Sequence, residues 1–503
     1  MQGFDLYRSL NGFRQLRLGT LVAGSLLLAA CSGGSEPEPV ETPAEVPAID
    51  ASAVINAAQA TLGMENLETL TYSGSAWRIR NSFRQTLTAS PPWPEHDEIT
   101  NYQRTLDLNT LASRATGDTF ASNLFLEPPV ADVYQQNVAA GQTAWGQQLE
   151  FWLTPWGFLQ GAELYGAEAT AATLDGAAVT ALTWKSPATQ TAPSGLQYTV
   201  TGYIGADQLV HRVETRVEDA FMGDMQVVGV FDNYQDMGGL MIPATMEQQR
   251  GGGGIFGVTV SAATANPPNA AELLTIPEPP ARAAGGTGAA PAAPTELSQQ
   301  IADGVYLIKT GYNALLVEFA DHVAVVEAGG AEAIGAQIVA EAARLFPDKE
   351  LRYVINSHPH SDHTAGLVPL VRAGATIVTH TNNVDFLNMA LSTPRTLLGE
   401  DTLSPKFMAA SGVTVLEDAT RRLELHHIPN LHSDGTLVAY LPNERILFQA
   451  DFTLPVAGAK ANPFVINLAE YVASAGLQFD QYLAVHAAQE PQTMADLMAT
   501  IGK

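Results

Sequence analysis

A single cysteine, Cys31, stands among 503 residues, and basic residues are scarce: 25 Lys and Arg against 52 Asp and Glu, a formal net charge of −27. One thiol can close no internal disulfide and offers no thiolate cluster for a structural metal. The excess of negative charge repels a phosphate backbone, which excludes nucleic acid as an expected partner. The apolar stretch LGTLVAGSLLLAA, residues 18–30, is shorter than the roughly 20 residues that span a bilayer. What is present in quantity is apolar residue, 46% of the chain, enough for more than one sizeable core.

Arg8, Arg14 and Arg17 precede that apolar stretch, which ends in Leu28-Ala29-Ala30-Cys31, the layout of an export signal. The pattern resembles the bacterial lipoprotein signal, in which the cysteine becomes the lipidated first residue, and Ser32 after it implies sorting to the outer membrane. The expectation is therefore an exported, periplasmic lipoprotein anchored at Cys31, with no free thiol left in the mature chain.

Composition divides the rest. Residues 1–30 read as the signal peptide and 31–50 as an acidic flexible tether rich in Pro, Glu and Gly. Residues 51–275 read as a β-rich α+β domain: in LVHRVETRVE, Leu209, Val213 and Val217 share one face and Arg212, Glu214, Arg216 and Glu218 the other. Helices are expected at AVINAAQATLG and around PWGFLQGAELYG. His96 and His211 stand alone in this region, and a lone histidine is more often packed or exposed than a ligand. Residues 276–296 are an Ala/Gly/Pro linker. From 297 to 503 the pattern becomes α/β: strands, an amphipathic helix carrying Ile334, Ile338, Ala342 and Leu345 up to Pro347, the strand RYVINS, a helix over about 382–391, then a run of strands.

Only eleven histidines occur in the chain, yet SHPHSDHTAG, residues 357–366, holds three of them with an aspartate. His358 and His360 cannot meet one metal from a helix, where two positions turn side chains about 200° apart. An extended or loop backbone lets them point the same way, and Pro359 disfavours helix at His358. Asp362 and His363 are then placed to reach a second ion. Further donors recur at later strand ends: His432 after RLELHHI, Asp451 after RILFQA, and His486 at the end of YLAVH. Five histidines and two carboxylates suffice for two ions with one shared oxygen donor and open positions for water.

At these residues the chain resembles the metallo-β-lactamase-fold superfamily of hydrolases, whose H-x-H-x-D-H motif stands here as His358-Pro-His360-Ser-Asp362-His363. The resemblance covers roughly residues 297–500 and implies an αββα sandwich with the site along one edge. It implies His358, His360 and His432 on the first ion, Asp362, His363 and His486 on the second, and Asp451 on both. This set is similar to that of glyoxalase II-type thioesterases and lactonases, whereas the commonest β-lactamase subgroup carries a cysteine on the second ion. Glu327 in AVVEAGG stands where the family usually has an aspartate, which leaves its supporting role open.

Imidazole and carboxylate without thiolate suit zinc and tolerate iron or manganese. The expected chemistry is zinc-dependent hydrolysis of an ester, lactone, thioester or amide carbonyl by a metal-bound hydroxide, with Asp362 orienting the water and passing its proton. Two divalent ions against two carboxylates leave the pocket positive, which favours a small substrate with an anionic group. The rival readings are a β-lactamase proper, a mononuclear iron persulfide dioxygenase, and a non-catalytic lipoprotein whose β-rich domain captures an apolar ligand. Residues 391–407 are a candidate lid, with Asn382, Asn383 and Lys460 as candidate contacts. His380, His426 and His427 read as packing or supporting residues. Neither the acyl group, the oligomeric state nor the role of the β-rich domain follows from the sequence.

Overall fold

The computed structural model describes residues 48–80, 82–120, 131–276, 296–455, 460–486 and 492–502. The expected signal peptide, Cys31 and most of the tether and linker lie outside the described residues. From Ala48 to Lys503 the chain is one compact unit holding three sheets.

The first sheet has eleven strands, all paired antiparallel, running from Ala131–Val138 at one edge through Thr69–Ile79 and Gly253–Ala265 at its middle to Glu168–Leu174 at the other. Its strands alternate as a sheet covered on one face should. In Val210–Asp219, Val213, Thr215 and Val217 are buried while Arg216 is exposed. The covered face packs on the helices Trp145–Trp152 and Pro155–Leu164, where Trp152, Trp156, Phe158 and Trp184 are almost wholly buried. Thr154 starts the second of these by accepting from Gly157 N, with Pro155 in the first turn, where its missing N–H costs nothing.

The second sheet has seven strands and begins at Ser298–Ala302. Three strands paired antiparallel lead to His322–Val326, which pairs parallel with Glu350–Ile355; Thr376–His380 and Lys406–Ala410 continue the parallel part. The third sheet has five strands, from Val413–Glu417 to Gln481–Ala484. Leu315, Val317, Val326 and Ile355 of the second sheet and Leu425, Ala439 and Phe448 of the third pack into one core between them. Helix Glu332–Leu345 covers the outer face of the second sheet, and Pro463–Ala475 that of the third. The strand His322–Val326 is buried at all five positions, so its residues cannot show an apolar/polar alternation. The second half is thus the αββα sandwich.

Residues 391–407 do not form a lid. Arg395, fully buried, donates to the carbonyls of Ala220 and Phe221 in the first sheet's turn, and Asp224 accepts from Thr396 N, Thr396 Oγ1 and Leu397 N. The segment joins the two halves of the molecule. A loop that buries an arginine, paired with the partly exposed Glu400, and makes these hydrogen bonds is tied down, which its polar composition alone does not reveal.

Candidate metal centre

The parallel strands His322–Val326 and Glu350–Ile355 aim their C-terminal ends at one edge of the sandwich, where Glu327 and the loop 358–363 follow them. Beyond Glu350–Ile355 the chain runs extended through His358 to His360 and then turns into the short helix Ser361–Thr364, so the first two histidines project from loop and His363 from helix. Asn356 braces this bend by donating from Nδ2 to the carbonyls of His358 and His363. The helix seats closely: a Cβ on Gly366 would fall 1.9 Å from Ala328 O, so only glycine fits.

The other donors arrive from the third sheet. Asn430 Oδ1 accepts from His432 N and Ser433 N, which shapes the loop carrying His432. Asp451 follows the strand Ile446–Gln449, and His486 follows Gln481–Ala484 beside Tyr312.

The structure brings all seven side chains together, in two groups that share Asp451: His358, His360, His432 and Asp451, and Asp362, His363, Asp451 and His486. Asp451 Oδ2 lies 2.6 Å from His432 Nε2 and 3.2 Å from His358 Nε2, and those ring nitrogens are 3.2 Å apart. Its other oxygen, Oδ1, lies 3.1 Å from His363 Nε2 and 2.8 Å from His486 Nε2. Each of these nitrogens is 3.3 Å from Asp362 Oδ2. Two donors bound to one tetrahedral zinc stand roughly 3.3 Å apart, given bond lengths of about 2.0–2.1 Å. Most of these separations match that spacing.

Close packing does not satisfy these atoms. His360 Nδ1 is buried and makes no hydrogen bond with any described residue, while the buried His363 Nε2 and Asp451 Oδ1 face only each other, Asp362 and His486. Buried donor atoms that converge on one another in this way are costly unless a charge lies between them, which fits cations held at this position.

The electrostatics divide the two groups. Burial, reinforced by His363, pushes His358 down to about 4, and burial with His358 and His432 holds His360 well below its ordinary value. Both rings therefore offer lone pairs at neutral pH. At His363 burial opposes charge, but Asp451 and Glu327 outweigh it and hold the ring well above its ordinary value; hydrogen bonds to Asp362 and Asp451 push His486 up to about 9. The carboxylates of the second group call for positive charge, which a proton or a metal ion can supply.

Glu327 resolves the question its length posed. It is fully buried, with φ 77°, and its carboxylate accepts from Ser357 N at 3.0 Å and from His363 Nδ1 at 2.9 Å. Donation from Nδ1 directs His363 Nε2 into the cluster, so the longer acid performs the orienting role from a left-handed backbone. Asn383 is buried and bonded to Thr379 and Gly435, which keeps it from a substrate, while Asn382 is exposed and donates to Asp434; Lys460 is exposed. His380 and His427 stack on each other, His426 bonds to Tyr471 and Glu424, and none of the three joins the cluster. His96 stacks on Trp77, and His211 pairs with Asp207.

Sequence patterns missed a further group. Residues Arg84 to Leu87, from the β-rich half, touch the metal loop through Gln85 to Ser361 and Asp362 and through Thr86 O to His360. No periodicity or motif ties a glutamine to an aspartate 277 positions later.

The sequence profile of the metallo-beta-lactamase superfamily matches residues 308–475. Among solved structures, the chain is similar to the metallo-beta-lactamase from Pontibacter korlensis, at 15% identity and a TM-score of 0.33, over 41% of this chain and 97% of that one. It is similar to the metallo-beta-lactamase from Erythrobacter litoralis at 20% identity and TM-score 0.32, over 41% and 93% of the two chains. A third is the sec-alkylsulfatase Pisa1 from Pseudomonas sp., at 15% identity and TM-score 0.31, over 41% and 40%. No curated protein matches the chain. Residues 308–475, on the sandwich part of the chain, thus carry the metallo-beta-lactamase superfamily match, and a β-rich region precedes them.

Proposed function

We propose that this protein is a dinuclear zinc hydrolase that cleaves an ester, lactone, thioester or amide carbonyl in a small molecule. The observation that carries this reading is the division of Asp451, one oxygen toward each group of donors. Five imidazoles and two carboxylates with no thiolate suit zinc. Bound there, zinc would polarise a carbonyl oxygen and lower the pKa of a water to about 7.

The chain's own residues set the rest. Glu327 fixes the tautomer of His363, and Ser357 Oγ lies 2.9 Å from His358 Nδ1, so both rings keep Nε2 toward the cluster. Asp362 stands at the rim of the second group, a quarter exposed, where its carboxylate can align a water and carry a proton to the leaving group. Leu431, 68% exposed and next to His432 in the chain, offers apolar surface beside the donors, while the buried Phe464 packs its ring centre 5.2 Å from His432. A substrate with an anionic group at the cations and an apolar portion against Leu431 suits the arrangement.

Purified protein loaded with zinc, assayed on a panel of esters, lactones, thioesters, amides and a chromogenic cephalosporin, tests the reading. Two zinc per chain and turnover of one carbonyl class are expected, with Asp362→Ala inactive but folded. A single iron per chain, or no turnover across the panel, would overturn it. The export signal and Cys31 further support an outer-membrane lipoprotein; Cys31→Ser should then leave the protein unlipidated and soluble.

A further inference from the structure

The segment 82–94 leaves the first sheet between the strands Thr69–Ile79 and His96–Asp107 and reaches the metal loop. Gln85 Nε2 lies 2.9 Å from Ser361 Oγ and 2.9 Å from Asp362 Oδ1. A primary amide carries two N–H donors, so both are used. With Oδ1 held from this side, Asp362 turns Oδ2 toward His363 and His486.

The next residue acts on the other group. Thr86 O lies 3.1 Å from His360 Nε2. A neutral imidazole has one N–H; when Nε2 donates it to this carbonyl, Nδ1 keeps a lone pair. That nitrogen is the buried one without a partner among the described residues.

Backbone bonds lock the segment on both sides of the site. Ser361 N donates to Arg84 O at 3.0 Å, and Asp434 N, two residues beyond His432, donates to Leu87 O at 2.9 Å. Arg84 also donates to Thr364 Oγ1, and its guanidinium lies 4.5 Å over the Phe221 ring and 3.8 Å from Asp219. Behind it, the glycine run after Arg250 makes room: a Cβ on Gly253 would fall 2.4 Å from Pro91 Cβ, and one on Gly251 2.7 Å from the Phe83 ring. This glycine run, which has no part in the metal cluster itself, therefore seats the strap.

We propose that the strap 82–94 is a wall of the metal centre, and that Gln85 is a positioning residue that sets the Asp362 carboxylate for the second ion while Thr86 O sets the His360 tautomer for the first. On this assignment the β-rich half is a working part of the site. The inference rests on the reading of the seven-residue cluster as a two-metal centre.

The test uses the full chain, stripped with a chelator and titrated with zinc alone against a chromophoric competitor, in wild type and in Gln85→Met, which keeps the length of the side chain and removes both donors. Outer hydrogen-bond partners of metal ligands typically contribute about 10- to 100-fold in affinity. The expected result is a loss of that size at one of two zinc positions, the other staying within about twofold, and a cobalt-substituted spectrum changed for one site only. The melting temperature of the metal-free protein should not move; Gln85→Ala gives the same readout where Met does not fold. Equal zinc affinity in wild type and variant at both positions, or an equal loss at both, overturns the role of Gln85 and leaves the hydrolase reading standing. Wild-type protein that takes up no zinc overturns both.

Discussion

Asp451 presents one carboxylate oxygen to each group of donors, and this asymmetry of demand makes its removal different in kind from that of any histidine in the cluster. Asp451→Ala should abolish binding of both ions, whereas His486→Ala should cost only one; metal stoichiometry after gel filtration distinguishes the two. A second residue-scale consequence lies away from the centre. His380 stacks on His427 at 3.7 Å, and burial, reinforced by His427, pushes it down to about 4. Its folded value lies below the unfolded value of about 6.5, so the unfolded chain takes the proton first. The contribution is complete above about 6.5 and is lost as pH falls from there toward 4. His380 Nδ1 also accepts from Asn382 N at the start of helix Thr381–Ser392, a position where asparagine serves well. His380→Asn should therefore flatten the fall in stability between pH 6.5 and 4.5 relative to wild type, read from denaturant midpoints at each pH.

At the scale of elements, the most informative contact joins the turn near Asp224 to the loop 391–407. Asp224 is buried and accepts three hydrogen bonds, from Thr396 N at 3.1 Å, Thr396 Oγ1 at 2.6 Å and Leu397 N at 2.9 Å. Asp224→Ala strands those donors, and buried donors left unpaired cost about 1–3 kcal/mol each before relaxation. We expect a loss of about 2–4 kcal/mol in urea unfolding. Elements also decide what a sequence pattern can reveal. The strand Val210–Asp219 alternates because one face is covered, and the helix Glu332–Leu345 shows its stripe up to Pro347, so both are readable from residues alone. The five-residue strand His322–Val326 is buried throughout and carries no period, and the helix Ser361–Thr364 is a single turn too short to leave one.

Across the whole molecule, a chain of net charge −27 gathers five imidazoles and three carboxylates, Glu327 included, at one edge of a sandwich. Such an assembly is held best when cations occupy it, since ligand that binds only the folded state stabilises it by about 4 kcal/mol at a thousandfold over Kd. Chelation should accordingly lower the melting temperature, with zinc restoring it and magnesium, which prefers oxygen donors, failing to do so; differential scanning calorimetry measures this.

The residues alone pointed to the candidate donor set, because metal ligation demands particular side chains and the spacing His358-Pro-His360-Ser-Asp362-His363 demands a particular backbone. Their patterns also determined a layered α/β class, which the family resemblance narrowed to the αββα sandwich, and the helices and strands whose one-sided burial leaves a period. Only the tertiary structure decided that Glu327 reaches His363, that residues 391–407 fasten the two halves, and that Gln85 and Thr86 stand against the metal loop. Those contacts join positions tens to hundreds of residues apart through single hydrogen bonds, and a lone hydrogen bond leaves no repeat, motif or composition in the chain to read.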